Sequence, residues 1–100
     1  MQIDFKRDLS DFSGNTLKEK DTPINLAVVA VNALMGVYPD EQNLEGTEKV
    51  RRYLLAQRIH GADGSLDIPV EDVALIKKLV GKGFPTLIAG QAIPMLEGGV

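Results

Sequence analysis

Thr22-Pro23-Ile24-Asn25-Leu26-Ala27-Val28-Val29-Ala30-Val31-Asn32-Ala33-Leu34-Met35-Gly36 decides the fold. It is the longest apolar run in the chain, and Asn25 and Asn32 are its internal polar positions. Ile24, Val28, Val29 and Val31 are β-branched and favour a strand. A strand this long would exceed the usual length, however, and apolar and polar residues do not alternate. The run therefore reads as a helix over 22–36, with Thr22 as N-cap and Pro23 at the first helical position. Gly36 is expected past the last turn, in a left-handed conformation. Asn25, Val29, Asn32 and Gly36 recur at helical spacing and give one partly polar seam on an otherwise apolar cylinder. Such a helix belongs in the middle of a bundle. It is too short to cross a bilayer, which takes about 20 apolar residues.

Composition fits a single globular domain of 100 residues, with 44 % hydrophobic and 25 % charged residues. Trp is absent and aromatics are 5 %, so aliphatic side chains and Met must fill the core. A net charge of −3 argues against direct nucleic-acid binding, which needs a basic face. The absence of Cys excludes disulfides, thiolate zinc sites and thiol catalysis. The opening MQIDFKRDL lacks the basic-then-apolar layout of a signal peptide.

Outward from the central helix, residues 2–18 read as a β-hairpin. Ile3 and Phe5 alternate with Asp4 and Lys6, Ser13-Gly14-Asn15 is turn chemistry, and Leu17 returns on the inner face. Lys18-Glu19-Lys20-Asp21 reads as a charged link. After an acidic loop over 37–46 comes a basic helix over 47–60, opened by Thr47 and ended by Gly61. It carries two apolar groups. Val50, Tyr53 and Leu54 lie on one side, and Leu55 and Ile59 lie well round from them. Either two neighbours clamp this helix, or one group forms a subunit interface. Leu66 to Ile68 reads as a short strand. A third helix over 69–81 has Glu71 and Asp72 at its start and Lys77 and Lys78 toward its end. Gly81-Lys82-Gly83 is expected to stop it. A fourth helix over 85–96 should kink or end near Pro94, and Gly98-Gly99-Val100 reads as a frayed tail. The expected fold is thus mainly α (α+β), a small N-terminal β-hairpin beside a three- to four-helix bundle.

No catalytic motif stands out. Asp63-Gly64-Ser65-Leu66-Asp67 with Glu71 has the look of half a calcium loop. Its first ligand positions would fall on Ile59 and Gly61 and its closing carboxylate on Val70, so a plain turn is expected and no metal site. His60 is the single histidine, placed where a helix end favours a cation. Gly81-Lys82-Gly83-Phe84-Pro85-Thr86 lacks the order of a phosphate-binding loop. The carboxylates near helix starts are accounted for by capping and the helix dipole. What remains is charge: Lys49, Arg51, Arg52 and Arg58 form the densest basic cluster, beside the acidic loop from Asp40 to Glu48. These groups either pair with one another as surface ion pairs or make a docking surface. On the second reading the partner-binding candidates are Asp40, Glu41, Glu45, Glu48, Arg51, Arg52, Arg58 and Lys82.

Asn32-Ala33-Leu34, the run from Arg51 to Ile59 and the run from Glu71 to Lys82 give the chain an order of parts that resembles small proteins of unassigned role encoded by tailed bacteriophages. No residue in these segments carries a defined chemistry to transfer. The resemblance implies action by binding in the cytoplasm of a bacterial host, as an inhibitor of a host (defence) protein or as an assembly chaperone. The expected function is therefore non-enzymatic, with a host or viral protein as partner, no cofactor and a homo-oligomeric state. Two alternatives stand beside it. One is a small-ligand binder, a sponge for a phosphorylated nucleotide held by Arg51, Arg52, Arg58 or Lys82. The other is a hydrolase built around His60.

Overall fold

The computed structural model describes residues 1–98; the rest of the expected tail, residues 99–100, lies outside them. The elements follow in the order β1 (Gln2–Asp4), β2 (Lys18–Glu19), β3 (Thr22–Pro23), α1 (Leu26–Met35), a 3-10 turn (Pro39–Glu41), α2 (Gly46–His60), β4 (Ser65–Asp67), α3 (Val70–Gly83) and α4 (Thr86–Leu96). The protein is mostly helical, with small sheets beside the helices, as the sequence indicates.

The central run divides in two. Residues 22–23 are a strand, and the helix begins at Leu26 with Asn25, not Thr22, as its N-cap. Asn25 Oδ1 accepts from Val28 N–H at 3.0 Å. The N–H groups of Leu26 and Ala27 donate to the carbonyls of Arg7 and Phe5 at 2.8 and 2.9 Å. Every orphan donor of the first turn up to Val28 is thereby paired, which is why the helix starts here and not at Pro23. At the other end Gly36 is extended (φ −70°, ψ 159°), not left-handed. α1 packs on α2, α3 and α4. It buries Leu26, Val29, Ala30, Ala33 and Leu34, while Val28, Asn32 and Met35 stay exposed. The helix is central but sealed along one side only.

The N-terminal segment forms its hairpin on a smaller scale than the 2–18 span suggests. A turn at Ser13–Asn15 brings Ser10 opposite Thr16. Leu9, Ile24 and Leu17 then close a three-membered ring of backbone hydrogen bonds: Leu9 N–H to Ile24 O, Ile24 N–H to Leu17 O, and Leu17 N–H to Leu9 O, at 2.8–3.0 Å. The strand holding Ile3 does not pair with this arm. β1 runs antiparallel to β4, with Ile3 opposite Leu66. That pairing is non-local, and a pattern of alternation cannot reveal it. The supposed link at 18–21 is itself a hairpin, β2 to β3, turned by Lys20 and Asp21 at φ 50° and 67°.

α2 begins one residue before Thr47, with Glu45 as N-cap, and ends at His60 before Gly61. α3 runs through Gly81 to Gly83, so this segment is helix and not a stop. α4 continues past Pro94 to Leu96 and ends there, because a missing N–H in the last turn removes only one bond. The core joins Ile3, Phe5 and Leu9 to Leu26, Val29, Ile59, Ile68, Ile76, Leu79, Val80 and Leu96. Among the described residues no helix is long and apolar enough to cross a membrane.

Candidate functional site

The C-terminal ends of α1 and α3 converge on one side chain, Tyr38. Its hydroxyl donates to Ala33 O at 2.6 Å and lies 3.4 Å from Leu79 O, so one phenol serves the last carbonyls of α1 and leans on those of α3. Room for the ring comes from two glycines. A Cβ at Gly36 or at Gly83 would sit 3.1 Å from the Tyr38 hydroxyl. Burial, helped by the charge of Glu41, raises the Tyr38 pKa, so the phenol stays a donor. The Lys82 ammonium stands 5.0 Å from the ring centroid, within cation–π range.

The 3-10 turn that follows is strapped down by charge. Arg52 reaches from α2 and donates through Nη1 and Nη2 to the two oxygens of Glu41, each at 2.8 Å, and through Nε to Glu48 at 3.2 Å. Lys82 reaches from α3 to Asp40 at 3.1 Å and Glu41 at 3.6 Å. Arg51 joins Glu48 to Asp72 of α3, with Nη2 at 2.6 Å from Asp72. Arg58 donates to the Asp67 carbonyl at 3.2 Å. The hydrogen bonds from Arg52 are the main reason the Glu41 carboxyl falls to about 2. Burial works to raise Glu48, but its bonds to Arg51 and Arg52 outweigh that and hold it low. The bonds to Asp72 and then Glu48 raise Arg51, and those to Glu41 and then Glu48 raise Arg52.

The charged candidates are therefore brought together, but mostly to face one another. Arg52 is 5 % exposed, with its guanidinium filled by carboxylates. Arg51, Arg58, Lys82, Asp40, Glu41 and Glu48 all have partners within the chain. Glu45 is an exposed N-cap without a side-chain bond. Lys49, in contrast, makes no ion pair among the described residues and faces a groove.

That groove was not visible in the charge pattern. It encloses about 660 Å³ between the end of α1, the 36–45 loop and α2, and its lining includes Leu34, Met35, Val37, Leu44, Tyr53 and Lys49. Its size is that of a ligand or side-chain-binding cleft. Tyr38 buries its ring in the core, and this throws its neighbour Val37 outward, 97 % exposed, beside Met35 at 53 %. Val37 directly before Tyr38 is the sequence signal, but only the anchoring of Tyr38 says which of the two is turned out.

Elsewhere the chemistry is sparse. His60 is exposed at the end of α2. Ser65–Asp67 is a strand and not a ligand loop, and among the described residues no group of three His, Cys, Asp or Glu is placed to hold a metal ion. Comparison with known protein families, with curated proteins and with solved structures finds no match to this chain.

Proposed function

We propose that the protein is a non-enzymatic protein-binding module whose docking surface is the groove at the end of α1. The observation that carries this reading is the outward display of Val37 and Met35 at the groove. Met35 is the last residue of α1 and Val37 directly precedes the anchored Tyr38, so little backbone ordering remains to be done on binding. A partner segment that inserts an aliphatic or aromatic side chain and offers a carboxylate to Lys49 fits the lining. The phosphorylated-nucleotide sponge has less support, because Arg51, Arg52 and Lys82 are already committed to carboxylates and Arg58 to the Asp67 backbone carbonyl. The narrower reading, an inhibitor of a host protein or an assembly chaperone acting in a bacterial cytoplasm, is supported by the sequence resemblance alone.

Affinity capture from a bacterial lysate with the wild type and Val37→Asp side by side, followed by native mass spectrometry, tests the reading. A protein retained by the wild type and lost with Val37→Asp is expected. A small anion retained equally by both, with no protein, contradicts it.

A further inference from the structure

The groove at the end of α1 holds one charge that the chain does not balance. Glu41, Lys49 and Arg52 are the ionised side chains of its lining. Glu41 and Arg52 cancel through their two hydrogen bonds of 2.8 Å, and Arg52 also donates to Glu48. Lys49 is exposed and makes no ion pair among the described residues. Glu45, one helical turn before it, is exposed as well and makes no side-chain cap. What remains is an apolar cleft with a single uncompensated ammonium.

A second donor stands beside it. Tyr53 follows Lys49 by four residues on α2, which puts the two on one face of the helix, and both line the groove. The Tyr53 phenol oxygen accepts from Gln57 Nε2 at 3.2 Å, which leaves its own proton to be given. The other phenol of the lining, Tyr38, has already given its proton to Ala33 O. Lys49 and Tyr53 thus supply two unspent donors on one wall of a cleft that Leu34, Met35, Val37 and Leu44 make apolar.

We propose that this groove binds a small organic monocarboxylate with an apolar body. Lys49 and Tyr53 hold the carboxylate, and Met35 and Val37 cover the alkyl or aryl part. The volume of about 660 Å³ is that of a small-ligand site. Charge selects the head group. One ammonium balances one carboxylate, whereas a phosphate monoester brings nearly two negative charges to a cleft that already contains Glu41. A neutral ligand leaves the Lys49 charge unused. The inference rests on the docking reading in taking the same cleft, and it adds a regulator: a bound carboxylate excludes the partner's segment.

Titration of the isotope-labelled full chain with phenylbutyrate, followed by amide NMR, tests it. Saturable shifts are expected at Val37, Leu44, Lys49 and Tyr53, with a dissociation constant of about 0.1 to 1 mM. The neutral amide of the same acid should bind about fivefold more weakly. Lys49→Met, an exposed substitution, should bring acid and amide level. Shifts that do not saturate, shifts centred elsewhere, or equal binding of acid and amide by the wild type would overturn the proposal. Lysate capture with and without phenylbutyrate keeps the two readings apart. A protein captured through Val37 and displaced by the acid supports both. A protein captured through Val37 while the acid does not bind removes the ligand and leaves the docking surface. Saturable binding of the acid with no protein captured does the reverse.

Discussion

Arg52 and Glu41 meet through two parallel hydrogen bonds of 2.8 Å at a point where Arg52 is almost fully buried. Eleven positions apart in the chain, they tie the 3-10 turn to α2 and so fix the floor of the groove. A bidentate guanidinium–carboxylate pair has a set geometry as well as a charge. Its worth lies in positioning the 36–45 loop, since desolvation offsets much of the attraction between buried ions.

Removing one partner should cost more than removing both. Glu41→Gln leaves a buried guanidinium with Glu48 alone and is expected to lower stability by about 2 kcal/mol. The double variant Glu41→Gln, Arg52→Met should recover a good part of that loss. Urea unfolding of the three proteins measures it, and equal losses would show the pair to be incidental.

Acid should act through the same contact. The Glu41 carboxyl is lowered from 4.5 to about 2, chiefly by its bonds to Arg52. A depressed carboxylate stabilises the fold above its unfolded pKa, and that contribution is lost as pH falls through the folded value. The melting temperature of the wild type should thus drop between about pH 5 and about pH 2, and more steeply than that of Glu41→Gln. Glu48, shifted the same way, adds to the drop in both. Parallel curves would contradict the assignment to Glu41.

Two glycine substitutions should have opposite signs. A Cβ at Gly83 would stand 3.1 Å from two atoms of Tyr38, whereas at Gly90, within α4, it would meet nothing. Gly83→Ala is expected to destabilise by about 1 kcal/mol, and Gly90→Ala to stabilise by about 0.5 to 1 kcal/mol. Denaturation midpoints decide, and a stabilising Gly83→Ala would mean that the Tyr38 ring is not held in place.

Gln91 of α4 should matter more than its polar character suggests. Its side-chain amide accepts from Ser10 N–H at 2.8 Å and donates to Ser10 O at 2.7 Å, pairing with the hairpin arm as a strand would. Gln91→Ala leaves both Ser10 groups without that partner and is expected to cost about 1 to 2 kcal/mol. Amide exchange should show the loss centred on residues 9–11. An unchanged exchange pattern would exclude the pin.

What the sequence discloses is what local spacing controls. The apolar runs place all four helices, and the facing of Leu55 and Ile59 against Val50, Tyr53 and Leu54 is legible from helical periodicity alone. Long-range choices are not. Ile3 pairs with Leu66 because β4 lies beside it in space, and Thr22 loses the N-cap to Asn25 because Phe5 and Arg7 bring carbonyls to the first turn. The Lys20–Asp21 turn is hidden because neither residue is the Gly or Asn that a positive φ usually selects. At the site, the charges are conspicuous in sequence but are largely spent on one another. The groove is inconspicuous because it depends on Tyr38 being drawn inward.

The reading turns on which surface meets the partner, the apolar groove or the charges around it. Capture from a bacterial lysate with wild type, Val37→Asp and Arg58→Glu, quantified by mass spectrometry, puts the two in direct competition. Both positions are exposed, so both variants should fold with stability within about 0.5 kcal/mol of the wild type. A partner retained by the wild type and Arg58→Glu but lost by Val37→Asp is expected. A partner lost by Arg58→Glu and kept by Val37→Asp would contradict the assignment of the groove as the docking surface.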